Sequence, residues 1–162
     1  MCADRSQVMT STAPEVATVL AGAHDEILDR AALALDRSHL PHYDNSGPAE
    51  QRVRLGKLFD VVVDCLRARQ LIAVVTWSEQ IASERFESGF GIGEVQTAFN
   101  VLEESMWRTL VEVTPPSQMA ESLGLLTTVL GAGKDALARS YVSLASKQHV
   151  PSLDLRALFD GI

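Results

Sequence analysis

Apolar residues recur at intervals of three and four along most of the chain, and short segments rich in glycine and proline interrupt the pattern. This spacing is typical of amphipathic α-helices that bury one face. It predicts five helices: residues 14–36, a second that opens at Pro48, residues 71–88, a fourth that ends at Val113, and residues 116–147. The β-branched stretch 71–77 would also suit a strand, but its apolar face continues at helical spacing to Phe86. We therefore predict an all-α fold.

Glycine and proline mark three of the breaks between these helices, at residues 37–48, 89–93 and 114–117. Residues 1–13 are small, polar and aperiodic, which predicts a flexible leader. Residues 148–162 form a tail in which the sequence LDLRALF has the pattern of a short helix. The expected organisation is one helical domain over residues 14–147, with the leader before it and the tail after it.

The last predicted helix is long for a domain of this size, roughly 45 Å at about 1.5 Å per residue. Its apolar stripe is close to a heptad pattern, which makes it a candidate dimer seam: Met119, Leu123, Leu126, Leu130, Leu137, Tyr141 and Leu144. A bend at Gly124, Gly131 or Gly133 is the alternative, and these glycines would also let a neighbouring helix approach closely. We expect a homodimer formed through this helix or through the region of the first one.

Composition and charge exclude several classes of function. The chain carries 14 Lys and Arg against 21 Asp and Glu, and this net charge of −7 disfavours nucleic acid and anionic membranes as partners. No apolar run approaches the ~20 residues that span a bilayer, and the N-terminus lacks the apolar core of a signal peptide. With two cysteines, Cys2 and Cys65, a disulfide scaffold is not expected. The sequence predicts a soluble, cytoplasmic protein.

No group of residues has the spacing of a catalytic or metal site. The loop with His39, His42 and Asp44 lacks the further ligands that complete a metal centre. The glycines near Gly89 and Gly131 match phosphate-binding loops only in part. Three neighbouring carboxylates are more typical of exposed helix faces and caps than of acid–base pairs: Glu84, Glu87 and Glu94. We expect neither an enzyme nor a bound cofactor.

Five aromatic residues fall on or beside the central helices: Trp77, Phe86, Phe90, Phe99 and Trp107. Such bulk is usually core, yet pockets between helices use the same residue types. A cavity for an apolar small ligand therefore stays an open alternative. Haem would need a histidine inside an apolar stripe, a position that none of the four histidines has: His24, His39, His42 and His149.

The segment from Glu84 to Leu102 carries a recognisable motif, Glu84-Arg85-Phe86-x-x-Gly89-Phe90-x-x-x-Glu94-x-x-x-Ala98-Phe99-Asn100-x-Leu102. With it the chain resembles the N-terminal domain of RsbR-type stressosome proteins, the RsbT co-antagonists. The stretches RLGKLFDVVVDCL before the motif and MWRTL after it fit the same pattern, and the likeness covers roughly residues 14–147. The motif residues that we single out are Arg85, Gly89, Glu94, Phe99 and Asn100.

The resemblance implies a globin-like helical fold without haem that acts as a dimeric sensory or scaffolding module, with a regulatory protein as partner. Within the motif, we expect Gly89 to end a helix with positive φ and Glu94 to lie in a first helical turn, where the helix dipole favours a carboxylate. The family domain usually precedes a STAS domain with phosphorylatable threonines. The sequence shows no such segment, so those sites are not carried over.

Together these observations predict a non-enzymatic, stand-alone sensor or protein-interaction module that homodimerises and takes part in stress signalling. The alternative is a small-molecule or haem-binding sensor of globin-like fold.

Overall fold

The computed structural model describes residues 12–148, and these residues form seven α-helices and no strand. The helices are α1 (Thr12–Gly22), α2 (His24–Asp36), α3 (Pro41–Asp44), α4 (Pro48–Ala68), α5 (Ile72–Glu87), α6 (Ile92–Val113) and α7 (Pro116–Gln148). The predicted all-α fold with a long C-terminal helix is confirmed. Residues 1–11 of the predicted leader and 149–162 of the predicted tail lie outside the described residues. Over that same described part, no helix combines the length and the apolarity needed to cross a bilayer.

The first predicted helix is divided in two at Ala23. This residue has φ −107° and ψ 17°, and its N–H donates to the Leu20 carbonyl over 3.1 Å. Gly22 precedes it, and glycine favours the helix least of all residues except proline. The chain therefore turns between α1 and α2 while apolar residues on both sides stay buried. The prediction of one uninterrupted helix over residues 14–36 was wrong at this point.

The segment 37–48, predicted as a loop, contains the short helix α3. Pro41 lies in its first turn, where the fixed φ of proline suits the helix and its missing N–H costs nothing. The helix carries Tyr43 into the core, where the residue is only 3% exposed. This helix and the break at Ala23 raise the number of helices from the five predicted to the seven found in the described residues.

Glycine ends α5 and proline ends α6, as predicted. Gly89 adopts φ +83°, and the N–H of Phe90 donates to the Arg85 carbonyl over 2.9 Å, which closes α5. Helix α6 ends before Pro115, and Pro116 opens α7. The positive φ expected at Gly89 and the break expected at residues 114–117 are both confirmed.

Helix α7 packs along α5, and Gly133 lies at this contact. A Cβ atom at Gly133 would meet Val74 Cγ2 at 2.9 Å and Phe99 Cε1 at 3.1 Å. The close helix approach expected of the α7 glycines therefore occurs here. It does not occur at Gly124 or Gly131, where a Cβ would meet nothing within 4 Å. Helix α7 continues without a break through all three glycines.

The apolar stripe of α7 faces the core of the chain itself. Four of the seven residues expected to form a dimer seam are buried: Leu126, Leu130, Leu137 and Tyr141. Met119 and Leu123 near the start of the helix, and Leu144 near its end, are partly exposed. Because α7 runs between other helices of the same chain, intrachain packing accounts for the four buried residues of its heptad-like pattern.

Candidate functional site

A cavity of about 250 Å³ opens between α4, α5 and α6, and Tyr43 of α3 adds to its wall. The apolar part of the wall comes from three helices, with Leu55, Leu58, Trp77, Ile81, Val95 and Phe99 as its main residues. Five charged residues complete the wall: Arg54, Lys57 and Arg85 against Glu50 and Glu84. An apolar body with a few convergent polar groups is the usual form of a small-molecule site.

Two arginines of this wall lie over the same aromatic ring. The guanidinium carbon of Arg85 is 5.0 Å from the ring centroid of Phe90, and that of Arg54 is 5.7 Å from it. Phe90 also packs against His42, with ring centroids 4.6 Å apart, and edge-on against Tyr43 at 5.4 Å. The negative face of an aromatic ring attracts a cation, so Phe90 holds both guanidinium groups beside the cavity.

The two arginines differ in their ion pairs. Arg54 pairs with Glu50 and donates to the Ser46 hydroxyl over 3.0 Å. Arg85 is partly buried and has no carboxylate within ion-pairing distance among residues 12–148. Burial lowers the pKa of Arg85 and the positive charge of Arg54 lowers it further, while Tyr43, Glu84 and Glu50 oppose this decrease. The cavity therefore has one guanidinium whose charge is not balanced by a direct protein partner.

Glu94 closes the start of α6 and ties it to α3. Its Oε2 accepts a hydrogen bond from the Gly91 N–H at 2.9 Å and lies 2.9 Å from Nδ1 of His42. Burial on its own would raise the pKa of Glu94, but the hydrogen bonds from Gly91 and His42 outweigh it and hold the pKa below its ordinary value. The position expected for Glu94 in the first helical turn is confirmed.

The three carboxylates considered for acid–base work do not converge. Glu84 and Glu87 are exposed on α5, where Glu84 accepts a hydrogen bond from Gln80 over 2.9 Å. Glu94 is engaged as a helix cap. Acid–base catalysis needs groups within reach of one substrate atom, and of these three carboxylates only Glu84 lines the cavity.

The histidines that the sequence offered as ligands are dispersed. His24 packs edge-on against Phe59 at 4.9 Å, His39 is exposed with φ +48°, and His42 bonds Glu94. None of these three lines the cavity, and His149 lies outside the described residues. Within residues 12–148, no three His, Cys, Asp or Glu side chains are grouped as metal ligands.

The aromatic residues considered for a pocket have different environments. Trp77 and Phe99 line the cavity, with ring centroids 6.2 Å apart. Phe86 packs edge-on against Tyr141 at 5.6 Å, and Phe90 is buried beneath the arginines. Trp107 is 44% exposed on α6. Its assignment to the core is therefore wrong, since a helix that is apolar on two sides need not bury both, whereas its assignment to a pocket stays a prediction.

The motif residues lie around the cavity, with one exception. Arg85 and Phe99 line it, Gly89 ends α5 beside it, and Glu94 fixes the start of α6. Asn100 is exposed on α6 and is not part of the cavity wall. Four of the five motif residues therefore lie in the cavity wall or at the junction between α5 and α6.

Sequence reasoning missed two contributors to this site, Tyr43 and Arg54. Tyr43 was placed in a loop, although it is buried, and burial raises the pKa of its hydroxyl while the charges of Arg85 and Arg54 oppose that rise. Arg54 stands in α4 next to Leu55, without any motif that distinguishes it from an exposed arginine. The proline that opens α3 was the one local signal for the position of Tyr43.

A family model described as the RsbT co-antagonist protein rsbRD N-terminal domain matches residues 25–148. The chain belongs to this family. Comparisons with curated proteins and with solved structures gave no match. The predicted resemblance is confirmed, and the RsbT co-antagonist family marks the chain as a stressosome-type regulatory or sensory domain.

The matched range of the RsbT co-antagonist family begins in α2 and ends with α7. It therefore includes the cavity, both arginines and the entire motif. Helix α1 precedes the matched range, yet Val16, Ala17 and Leu20 of this helix are buried in the same core. In this chain the family domain is accordingly extended by one packed helix.

Proposed function

We propose that this domain is a non-enzymatic regulatory module of globin-like shape that works in the cytosol by binding proteins, among them a second copy of itself. The family relationship supports a signalling role with protein partners. The observation that carries the proposal of self-association is the exposure of Trp107, because tryptophan is enriched near the centres of protein interfaces.

Trp107 belongs to an exposed apolar surface on α2 and α6, which we call the α2–α6 face. Val111 stands one turn further along α6 and is 41% exposed, and Leu33 of α2 is 51% exposed. Leu33 shares a surface depression with Glu104 and Arg108, and residues 104, 107, 108 and 111 fall on one side of α6 by helical geometry.

The charges of the α2–α6 face are compatible with a two-fold contact. Arg108 pairs with Glu104 at 2.6 Å, and Arg30 of α2 pairs with Glu26 at 2.6 Å. A two-fold interface brings the same patch of each copy together, and a patch with paired charges of both signs does not repel itself. The face also includes part of the first predicted helix, which is one of the two regions expected to dimerise.

Light scattering coupled to size-exclusion chromatography tests this proposal. We expect the wild-type chain to elute with twice its mass of 17.6 kDa, and the double variant Trp107→Ser with Val111→Ser to elute at the mass of one chain. The matched control is Val142→Ser, an equally apolar position on α7 that is 66% exposed. A monomeric wild type, or a dimer that the double variant leaves intact, would contradict self-association through this face.

The cavity supports a second candidate function, that of a small-molecule sensor. A space of about 250 Å³ with an apolar wall and an unbalanced guanidinium has the composition of a ligand site. Haem has less support, because no histidine of the described residues lines the space. Mass spectrometry of the protein under native and denaturing conditions, together with a search for a Soret band, tests this alternative.

A further inference from the structure

We propose that the cavity between α4, α5 and α6 binds a small organic monocarboxylate, with its carboxylate on Arg85 and Arg54 and its apolar body against Trp77 and Phe99. This inference rests on the proposed role as a small-molecule sensor and adds the chemical class of the ligand. It does not depend on dimerisation.

The first argument is that the positive charge of Arg85 has no ion pair among the described residues. Partly buried cations are normally paired, since removal from water penalises the charge unless another group compensates it. Arg85 has no carboxylate within ion-pairing distance among the described residues, and of the charges near it the positive charge of Arg54 acts most strongly, ahead of the attraction from Glu84 and Glu50. An anion placed beside both guanidinium groups would remove this repulsion. A carboxylate suits them, because the planar fork of arginine donates two parallel hydrogen bonds to it.

The second argument is the orientation that Phe90 gives to the two arginines. Both guanidinium carbons lie over its ring, at 5.0 Å and 5.7 Å from the centroid. A guanidinium has five N–H donors, of which Arg54 uses two on Glu50 and Ser46, so both arginines still have donors for an anion. The ring itself is 8% exposed and fixed by His42 and Tyr43, so the anion site would be largely formed before the ligand arrives.

The third argument concerns the size and charge of the cavity. Its volume of about 250 Å³ is smaller than the ~300–1,000 Å³ of sites for drug-sized ligands, which suits one aromatic ring or a short alkyl chain. The wall has three basic and two acidic side chains, and this surplus of one positive charge fits a single negative charge. A polyphosphate would bring more negative charge than the wall compensates and would leave the apolar surface unused.

A second cavity provides a competing location within the same molecule. It measures about 290 Å³ and is lined by Cys65, Leu71, Leu125 and Val129, with Arg69 beside them. Its two charged lining residues, Arg69 and Glu121, have opposite signs, and burial raises the pKa of the Cys65 thiol, so this mostly apolar wall has no net charge. A neutral apolar ligand would suit this second cavity, whereas a carboxylate is expected between α4, α5 and α6.

Isothermal titration calorimetry with a panel of simple probes tests the proposal. We expect octanoate and benzoate to bind, and octanol, octylamine and inorganic phosphate to bind at least roughly tenfold more weakly. In nuclear magnetic resonance spectra, the indole N–H signal of Trp77 should shift on addition of octanoate. Octanol binding as tightly as octanoate, phosphate binding as tightly as either carboxylate, or shifts confined to residues around Cys65 would each overturn the proposal.

Variants provide the second arm of the test. Arg85→Gln keeps a polar side chain without the charge and should weaken octanoate binding roughly tenfold or more. Arg67→Gln, an exposed position on the same α4 helix as Arg54 but outside this cavity, should leave binding unchanged. If circular dichroism shows that Arg85→Gln does not fold, Arg54→Gln takes its place with the same expected result. Equal octanoate affinity in wild type and the folded arginine variant would refute the assignment.

The oligomeric state of the same samples separates this proposal from the wider one. A wild-type dimer that binds none of the carboxylates would disprove the ligand while leaving the regulatory role through protein contact in place. A monomer that binds octanoate in an Arg85-dependent manner would support the ligand proposal and disprove self-association.

Discussion

Nδ1 of His42 lies 2.9 Å from Oε2 of Glu94, although the two residues are separated by the whole of α4 and α5. Glu94 also accepts the Gly91 N–H at 2.9 Å and the His42 N–H at 3.3 Å. One carboxylate therefore joins the short helix α3 to the start of α6. Phe90, which holds the two cavity arginines, lies between these two elements.

We expect Glu94→Gln to destabilise the protein at neutral pH by about 1–3 kcal/mol, the range for lost hydrogen bonds to a charged group. The hydrogen bonds hold the pKa of Glu94 below its ordinary value of 4.5. A carboxylate of this kind contributes stability above that value, and the contribution is lost as the pH falls through the lower folded pKa. The deficit of the variant should therefore shrink below pH 4.5, as measured by urea unfolding.

Glu84→Gln is the matched control for this experiment. Glu84 is exposed on α5, and among the described residues its carboxylate accepts a hydrogen bond only from the side chain of Gln80. Its replacement should change the free energy of unfolding by less than about 0.5 kcal/mol. If Glu94→Gln lowers the free energy of unfolding equally at neutral and acidic pH, the shape of the side chain and not its charge stabilises the protein at this position.

Substitution by alanine should have opposite effects on stability at Gly133 and at Gly131. An alanine Cβ at position 133 would come within 2.9 Å of Val74 Cγ2, an atom of a stiff β-branched side chain. Overpacking of this kind costs about 1–3 kcal/mol, against a gain in helix propensity of about 1 kcal/mol. At position 131 nothing lies within 4 Å, so only the gain remains.

We therefore expect Gly133→Ala to be less stable than Gly131→Ala by about 1–3 kcal/mol, because the propensity gain cancels between them. Thermal unfolding followed by circular dichroism measures this difference directly. Equal stability of the two variants would mean that α5 and α7 can move apart at no energetic cost. That result would contradict a close contact between them at Gly133.

At the same helix contact, we expect an alanine substitution at Ser78 to stabilise the protein. Its side chain is fully buried, and its hydroxyl oxygen has no hydrogen-bond partner among the described residues. Because a buried polar group without a partner costs about 1–3 kcal/mol, we expect Ser78→Ala to raise the free energy of unfolding.

Ser83→Ala separates this effect from helix propensity. Ser83 lies on the same helix α5, and its hydroxyl donates to the Glu79 carbonyl over 3.4 Å. Both variants gain the helix propensity of alanine, so a larger gain at Ser78 in chemical unfolding reports the unpaired hydroxyl. A smaller gain at Ser78 would mean that its hydroxyl has a favourable role in the contact.

The sequence allowed most helix ends to be predicted, because the chemistry that sets them is local. Gly89 can adopt a positive φ without steric cost, and the ring of Pro116 fixes its own φ, wherever these residues stand. The break at Ala23 was missed, since alanine favours helices and the apolar face continues on both sides. The chain turns here because α1 and α2 pack on different neighbours. Helix propensity, a local property, does not indicate such a turn.

The site was predictable only in part, and for a different reason. The motif correctly drew attention to Arg85 and Glu94, but nothing in the sequence shows that Arg54 and Tyr43 join them. Those contacts arise from the packing of α3 and α4 on α5 and α6. Periodicity has the same limit in α7, since an apolar face indicates that something covers Leu126 without showing whether it is this chain or another.

Tyr141 of α7 fixes the carbonyl of Phe90. Its hydroxyl donates to that oxygen over 3.2 Å, and burial raises the pKa of Tyr141 to about 12. Tyr141→Phe leaves the carbonyl without this donor, so we expect a loss of about 1 kcal/mol at neutral pH.

The high pKa of Tyr141 gives this prediction a pH dependence. A tyrosine whose folded pKa lies above its ordinary value of 10.0 contributes stability below that pH, and the contribution is lost as the pH rises towards about 12. The variant lacks this contribution, so its deficit relative to wild type should narrow above pH 10. Thr128→Ala, an exposed hydroxyl on the same helix, should show no such trend in chemical unfolding across that range. A deficit of Tyr141→Phe that stays constant above pH 10 would mean that the hydroxyl ionises as readily in the folded chain as in the unfolded one.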